Sequence, residues 1–285
     1  MGATALRAAA ATQAVASAHM TRVAVVGHVE WVQFLRVERL PAAGEIERAE
    51  RESTHAGGGA VVAAAVLAEH GAEVEFFGAV GSDQIGSDAV RELTERGINA
   101  HVARRPGPTR EVLTLLDSRG ERTILPIGER LQPEGADQLA WDRLSSVDAV
   151  YVTAADQDAL ERARAARVLV ATPRLRERLD RPDVYIDALI FSASDEAEVS
   201  WARRLESDTR LMVATEGGDG GRWWGESEGR WQAVPPPGPI RDSYGSGDSF
   251  AAGVTCALAQ GRPISEACQL GAQWGAEMLT RVGAP

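Results

Sequence analysis

The strongest constraint is a rhythm that begins at Thr21, in which short runs of β-branched and apolar residues alternate with longer helical patterns. TRVAVVG (21–27), EVEFFGAVG (73–81), VDAVYVT (147–153), RVLVAT (167–172), DALIFS (187–192) and RLMVAT (210–215) are near-continuous apolar strands. Strands of that kind are buried on both faces, which calls for a parallel sheet with helices on either side. The intervening patterns supply the helices. Residues 58–70 are rich in Ala and Val, 82–97 carry Ser82 or Asp83 as a start signal and Gly97 as a stop, and EAEVSWARRLES follows the fifth strand. The expected fold class is therefore α/β, a three-layer α/β/α sandwich.

Two segments break the rhythm. About 29–55 and 98–126 alternate apolar and charged residues without a helical period, as in EVLTLLDSRGERTIL. They predict antiparallel strands with one wet face, joined in a small sheet that forms a lid over the carboxyl edge of the main one. Residues 1–20 are Ala-rich with a weak apolar stretch. They are expected to be a disordered, appended or mis-assigned extension, leaving 21–285 as the functional domain.

Composition now narrows the chemistry. Net charge is −11, which disfavours a broad phosphate-gripping surface, so no nucleic acid partner is expected. All 30 basic residues are Arg; the absence of Lys excludes a Walker-A loop, a protein-kinase strand lysine and Schiff-base chemistry. Two cysteines, Cys256 and Cys268, are too few for a disulfide framework and fit a reducing cytoplasm. The five histidines show no metal-ligand spacing, and no apolar run is long enough to span a membrane. A dinucleotide-binding G-x-G-x-x-G is missing after the first strand, where the chain reads GHVEWV.

The segment richest in chemistry is RDSYGSGDSFAAGVTCALAQG, 241–261. Gly245, Ser246 and Gly247 let the backbone pass close to a ligand and aim successive amides outward at the start of an Ala-rich helix, an arrangement that attracts an anion. Asp248 then stands where a simple phosphate site would want no negative charge. Its candidate roles are a general base for a hydroxyl and a plain helix cap.

DSYGSGDSF resembles the C-terminal signature of the ribokinase-like, phosphofructokinase-B type sugar kinases, D-T/S-x-G-A-G-D-x-F, with Ser246 replacing Ala. GGGAVVAAAVLAEHGAEVEFFGAVGSDQIGSDAVRELTERGI is similar to that family's N-terminal Gly-Gly segment and G-x-V-G-x-D-x-x-G stretch, and ATEGGDGG to its nucleotide-lining turn. The resemblance implies a mainly parallel sheet with a β-sheet lid, and an ATP-dependent kinase acting on an alcohol of a sugar or sugar-like substrate. It makes Asp248 the base and Gly245, Ser246 and Gly247 the anion hole. Thr215, Gly217, Gly220 and Asp242 fall beside the nucleotide, and Asp242 also near a monovalent cation such as K⁺. Mg²⁺ is implied through water and Glu196, and a homodimer through the lid is a further candidate.

Three positions depart from the family pattern. Val32 stands where relatives carry an Asp for sugar hydroxyls, Val62 where they carry an Asn, and Ala193 in place of the Asn of the N-x-x-E element. Valine can pair no hydroxyl, so His28, Glu30, Val32 and Gly57, Gly58, Gly59, Val62 are expected to form a re-tuned acceptor pocket. The alternatives are a nucleoside kinase of the same family and a non-catalytic ligand-binding protein on the same scaffold.

Overall fold

In the computed structural model, which describes residues 20–119, 122–175 and 184–283, each of those apolar runs becomes a strand. β1 (Arg22–Val26) leads into β2 (Glu30–Val37) and β3 (Ala49–Gly57). Then come α1 (Gly59–Glu69), β4 (Glu73–Gly81), α2 (Gln84–Glu95), β5 (Asn99–Arg105), β6 (Glu111–Leu116) and β7 (Arg122–Ile127). β8 (Ala149–Val152), α3 (Gln157–Ala163), β9 (Val168–Ala171), β10 (Ile186–Ser192), α4 (Glu196–Leu205) and β11 (Thr209–Thr215) continue the alternation. The hairpin β12 (Gly221–Gly225) and β13 (Gly229–Trp231) precedes α5 (Ser246–Ala259) and α6 (Ile264–Met278).

Nine strands form the main sheet in the order β13-β12-β11-β10-β9-β8-β1-β4-β5, parallel from β11 to β5 with the terminal hairpin antiparallel. Period-2 geometry sends Val23 and Val25 into a core shared with α1, α2, α5 and α6. Ala24 and Val26 enter the opposite core, shared with α3 and α4. Burial on both faces is why these strands lack polar alternation. α5 and α6 cross closely, since a Cβ on Gly253 would lie 2.8 Å from the Gly271 Cα.

The second sheet, β3-β2-β6-β7, is the lid. Two features of it differ from expectation. Asn99–Arg105 is not part of it: β5 pairs in parallel with β4 at the edge of the main sheet. An edge strand has one covered and one wet side, so its alternation imitates a lid strand. The lid is also mixed rather than antiparallel, because β2 and β6 run parallel. The expectation for 1–20 lies outside the described residues save Met20.

Among the remaining aromatic and basic residues, Trp223 and Trp231 stack in the hairpin core, whereas Trp201 lies half-buried under Arg204 rather than inside. Arg164 ties Asp187 at 2.7 Å and three carbonyls. No helix among the described residues is long and apolar enough to cross a membrane.

Candidate active site

Strand ends gather the chemistry. At the carboxyl edge of the main sheet, α1 and α5 are both capped by glycine, Gly58 and Gly245, and the lid strands β2 and β3 start and end there, with Glu30 opposite Gly57. Gly245 caps α5 in the left-handed region (φ 75°), a conformation that favours glycine. The first bond into the helix runs from Ser249 N to Gly245 O, so the amides just before it have no intrahelical acceptor. Ser246 N makes a long turn contact, 3.4 Å, to Ser243 O. A Cβ on Gly247 would meet nothing within 4 Å, so this turn opens onto free space.

Asp248, in the first turn of α5, is buried, and its Oδ1 accepts from Arg174 Nη1 at 2.9 Å. Arg174 follows β9 and donates through Nε to Glu198 Oε1 at 3.0 Å. Glu198 is buried and accepts from Ser192 N through its other oxygen. The neighbouring Asp248 carboxylate is the main cause that holds the Arg174 guanidinium above its ordinary range, with Tyr151 and Glu198 adding to it against burial. Gly59 packs directly on this pair, since a Cβ there would lie 2.6 Å from Asp248 Oδ1 and 3.0 Å from Arg174 Nη1.

His28 and Glu30 form a second polar group at the same edge. His28 Nε2 lies 3.6 Å from Glu30 Oε1, and Arg110 Nε approaches the same oxygen at 3.3 Å. Burial, then the charges of Arg130, Arg174 and Arg110, keep the His28 imidazole well below its usual value and hence neutral. Burial raises Glu30 against the pull of Arg110 and Arg130, with Asp248 adding to the rise. His28 Nδ1 is buried without a hydrogen-bond partner among the described residues. Tyr244 closes the back of the site: its hydroxyl accepts from Gly58 N at 3.0 Å and its ring meets Phe34 of the lid edge-on.

Several expected residues lie elsewhere or do something else. Val32 and Val62 are 0% exposed. A Cβ on Gly57 would strike Val32 at 2.6 Å, and one on Gly245 would strike Val62 at 2.8 Å. Both valines therefore support glycine turns and offer no surface to an acceptor. Glu196 is exposed at the start of α4, outside the cluster. The carboxylate that faces the site is Glu198, two residues on, with Asp195 capping the helix. Thr215 and Gly217 stand at the open end of β11, and Gly217 has free space where a side chain would be. Gly220 is packed against the Trp231 carbonyl and serves the hairpin. Asp242 is buried and already holds Tyr244 N, Gly283 N and Arg122. Arg110, Arg130, Arg122, Tyr244 and Glu198 were not singled out by sequence reasoning; the Asp-x-x-Glu spacing at 195–198 was the available signal for the last.

Comparison with known proteins agrees with this geometry. The family model described as pfkB family carbohydrate kinase matches residues 20–285. An ATP-dependent ribose-1-phosphate kinase from Halopiger xanaduensis is 31% identical, covering 93% of this chain and 94% of its own. Among solved structures, a microbiome-derived acarbose kinase superposes with a TM-score of 0.77 at 24% identity, covering 93% and 94% of the two chains. Arabidopsis thaliana ribokinase, complexed with ribose and ATP, gives 0.72 at 18% identity over 93% and 94%. The lid, the nine-stranded sheet and the Gly245–Asp248 turn are thus the parts of a ribokinase fold, and the chain belongs to the pfkB family of carbohydrate kinases.

Proposed function

We propose that this chain transfers the γ-phosphoryl group of ATP to an alcohol of a sugar or sugar-like acceptor, with Asp248 as general base. The observation that carries the reading is the placement of Asp248. Its carboxylate stands in the first turn of α5, directly after the open Gly-Ser-Gly turn, and is oriented by Arg174 at 2.9 Å. Arg174 fixes one oxygen, and the other takes the proton as the acceptor oxygen attacks phosphorus. The new P–O bond forms while the bond to ADP breaks, and the amides of Gly245, Ser246 and Gly247 hold the transferring group.

Among the described residues no three His, Cys, Asp or Glu gather as a metal cage. Mg²⁺ commonly keeps several waters and takes one or two carboxylates plus substrate phosphates. Glu198 would supply one carboxylate toward that modest demand, with Asp248 kept as the base. Mg²⁺ held there would supply positive charge against the phosphate oxygens.

A finer reading of the acceptor is a sugar already bearing a phosphate. Arg110 and Arg130 bring two guanidinium groups to the His28–Glu30 side, and burial pushes Glu30 toward its neutral form. The 31% identical Halopiger relative is named for a sugar phosphate. Ribose 1-phosphate is accordingly the first acceptor to test, against ribose and nucleosides. Half-exposed Ile124, Leu125 and Ile127 on lid strand β7 offer a homodimer contact, and the buried free cysteines suit a cytoplasmic setting.

Asp248→Asn tests the core of the reading. ATP binding should persist while acceptor-dependent ADP release falls about 10²–10⁴-fold. Turnover near the wild-type rate would falsify it.

A further inference from the structure

The monovalent cation expected beside Asp242 does not fit the residues found there. Asp242 Oδ1 accepts from Tyr244 N at 3.0 Å and faces Arg122 Nη1 at 3.3 Å. Oδ2 accepts from Gly283 N at 3.1 Å. A carboxylate offers about four lone-pair sites, so most are used, and one of the three partners is itself a cation. Arg122 donates its other terminal nitrogen to Ser243 Oγ at 2.8 Å, clamping two consecutive residues with one planar fork. Ser243 O in turn accepts from Ser246 Oγ at 3.1 Å. The guanidinium thus grips the loop that runs straight into the Gly245–Gly247 turn. Arg122 opens lid strand β7, opposite Leu116 of β6, so the lid delivers the charge.

We propose that Arg122 is a positioning residue that takes the place of a monovalent cation. It sets a permanent positive charge on Asp242, orders the loop ahead of the anion hole, and leaves the enzyme indifferent to K⁺. This rests on the reading of α5 as the phosphoryl site. Because Arg122 enters with β7, the charge reaches Asp242 once the lid strand is in place.

The test compares potassium, sodium and tetramethylammonium chlorides at about 0.1 M, matched in ionic strength. Wild-type phosphorylation of ribose 1-phosphate, or of the best acceptor in a sugar and nucleoside panel, should agree within about twofold across the salts. Saturable activation by K⁺ of about fivefold or more overturns the proposal. Should no acceptor turn over, the function reading fails separately, and thermal melting in the same salts still decides this one. Equal melts support it, and a K⁺-selective rise overturns it. In Arg122→Ala, turnover in tetramethylammonium should fall about tenfold or more. Added guanidinium or K⁺ should then restore part of it. A folded Arg122→Ala protein with wild-type turnover, or one that no cation restores, shows a merely structural residue and overturns the assignment.

Discussion

Gly59→Ala shifts the proposed base without replacing it. Gly59 is the first residue of α1, and a methyl group there would sit 2.6 Å from Asp248 Oδ1, 3.1 Å from its Cγ and 3.0 Å from Arg174 Nη1. Restoring ordinary contact requires the carboxylate to retreat by roughly 0.8 Å. The ion pair can move as a unit, so the 2.9 Å bond between Arg174 and Asp248 survives while its place relative to the α5 amides changes. A misplacement near 1 Å costs about 10²-fold in a positioned reaction, or about 2.7 kcal/mol of transition-state stabilisation. Stability should move far less. Alanine is favoured over glycine in a helix by up to about 1 kcal/mol, which offsets the crowding. The melting temperature should then stay within about 4 °C of wild type. The assay is ADP release with saturating ATP and the best acceptor, alongside a thermal melt. Turnover lowered about 30- to 100-fold in a folded protein is the expected result. A folded variant within about threefold of wild type would show that the position of this carboxylate does not limit the reaction.

Two further tests separate neighbouring readings. Glu198→Gln removes a charged acceptor from Arg174 and weakens the Ser192 N bond, so a loss of roughly 1–3 kcal/mol in stability is expected together with reduced turnover. Glu196→Gln, exposed at the helix start, should stay within about 0.5 kcal/mol and keep its activity; if Glu196 proves the sensitive one, the site has been built on the wrong carboxylate. His28 is held below its ordinary 6.5, so the unfolded chain takes up a proton that the folded chain refuses. Stability should therefore drop as pH falls below 6.5 toward the folded value, and His28→Gln should drop less between about pH 7.5 and about pH 5.5. Glu30 works in the opposite sense, its contribution being lost as pH rises from 4.5 through its raised folded value, and it is common to both proteins. Equal slopes in melting temperature against pH would refute the burial argument.

What the sequence makes legible is whatever the chain writes locally. The parallel strands are readable because Val23–Val26 and Ala149–Val152 are apolar on both faces, as strands covered by helices on either side must be, and helical patterns alternate with them along the chain. The Gly245–Asp248 turn is readable because its parts are consecutive. β5 misleads because an edge strand alternates like a lid strand, and the pairing partner that tells them apart, β4, is not encoded in the alternation. The parallel run of β2 beside β6 is hidden for the same reason, since register and direction belong to the pair. The start of α4 decides which carboxylate turns inward, and that choice is not written in the order of the residues. With Asp195 as cap, Glu198 faces Arg174 and Glu196 faces solvent. Arg110, Arg122, Arg174 and Tyr244 come from four separate strand ends and loops, and only folding brings them to one edge.

The all-arginine composition gains physical meaning at that edge. With thirty arginines and no lysine, the site uses what an arginine alone can do. Arg174 reaches Asp248 with one nitrogen and Glu198 with another; Arg122 reaches Asp242 and Ser243 in the same manner. Each bridge spans two residues from different elements, with an orientation set by a rigid plane. A lysine ammonium is a point charge on a flexible stem and would hold neither pair in a fixed relation. Arg122 and Tyr244 further connect the loop before α5 to the lid, through β7 and through Phe34 of β2, while Gly58 ties the same tyrosine to α1. The Gly245–Gly247 turn, the start of α1 and the lid are consequently tied to one another. Displacing the lid at β7 would pull on Asp242, two residues before Tyr244 and three before the left-handed Gly245, whereas Thr215 and Gly217 hang from β11, away from these ties.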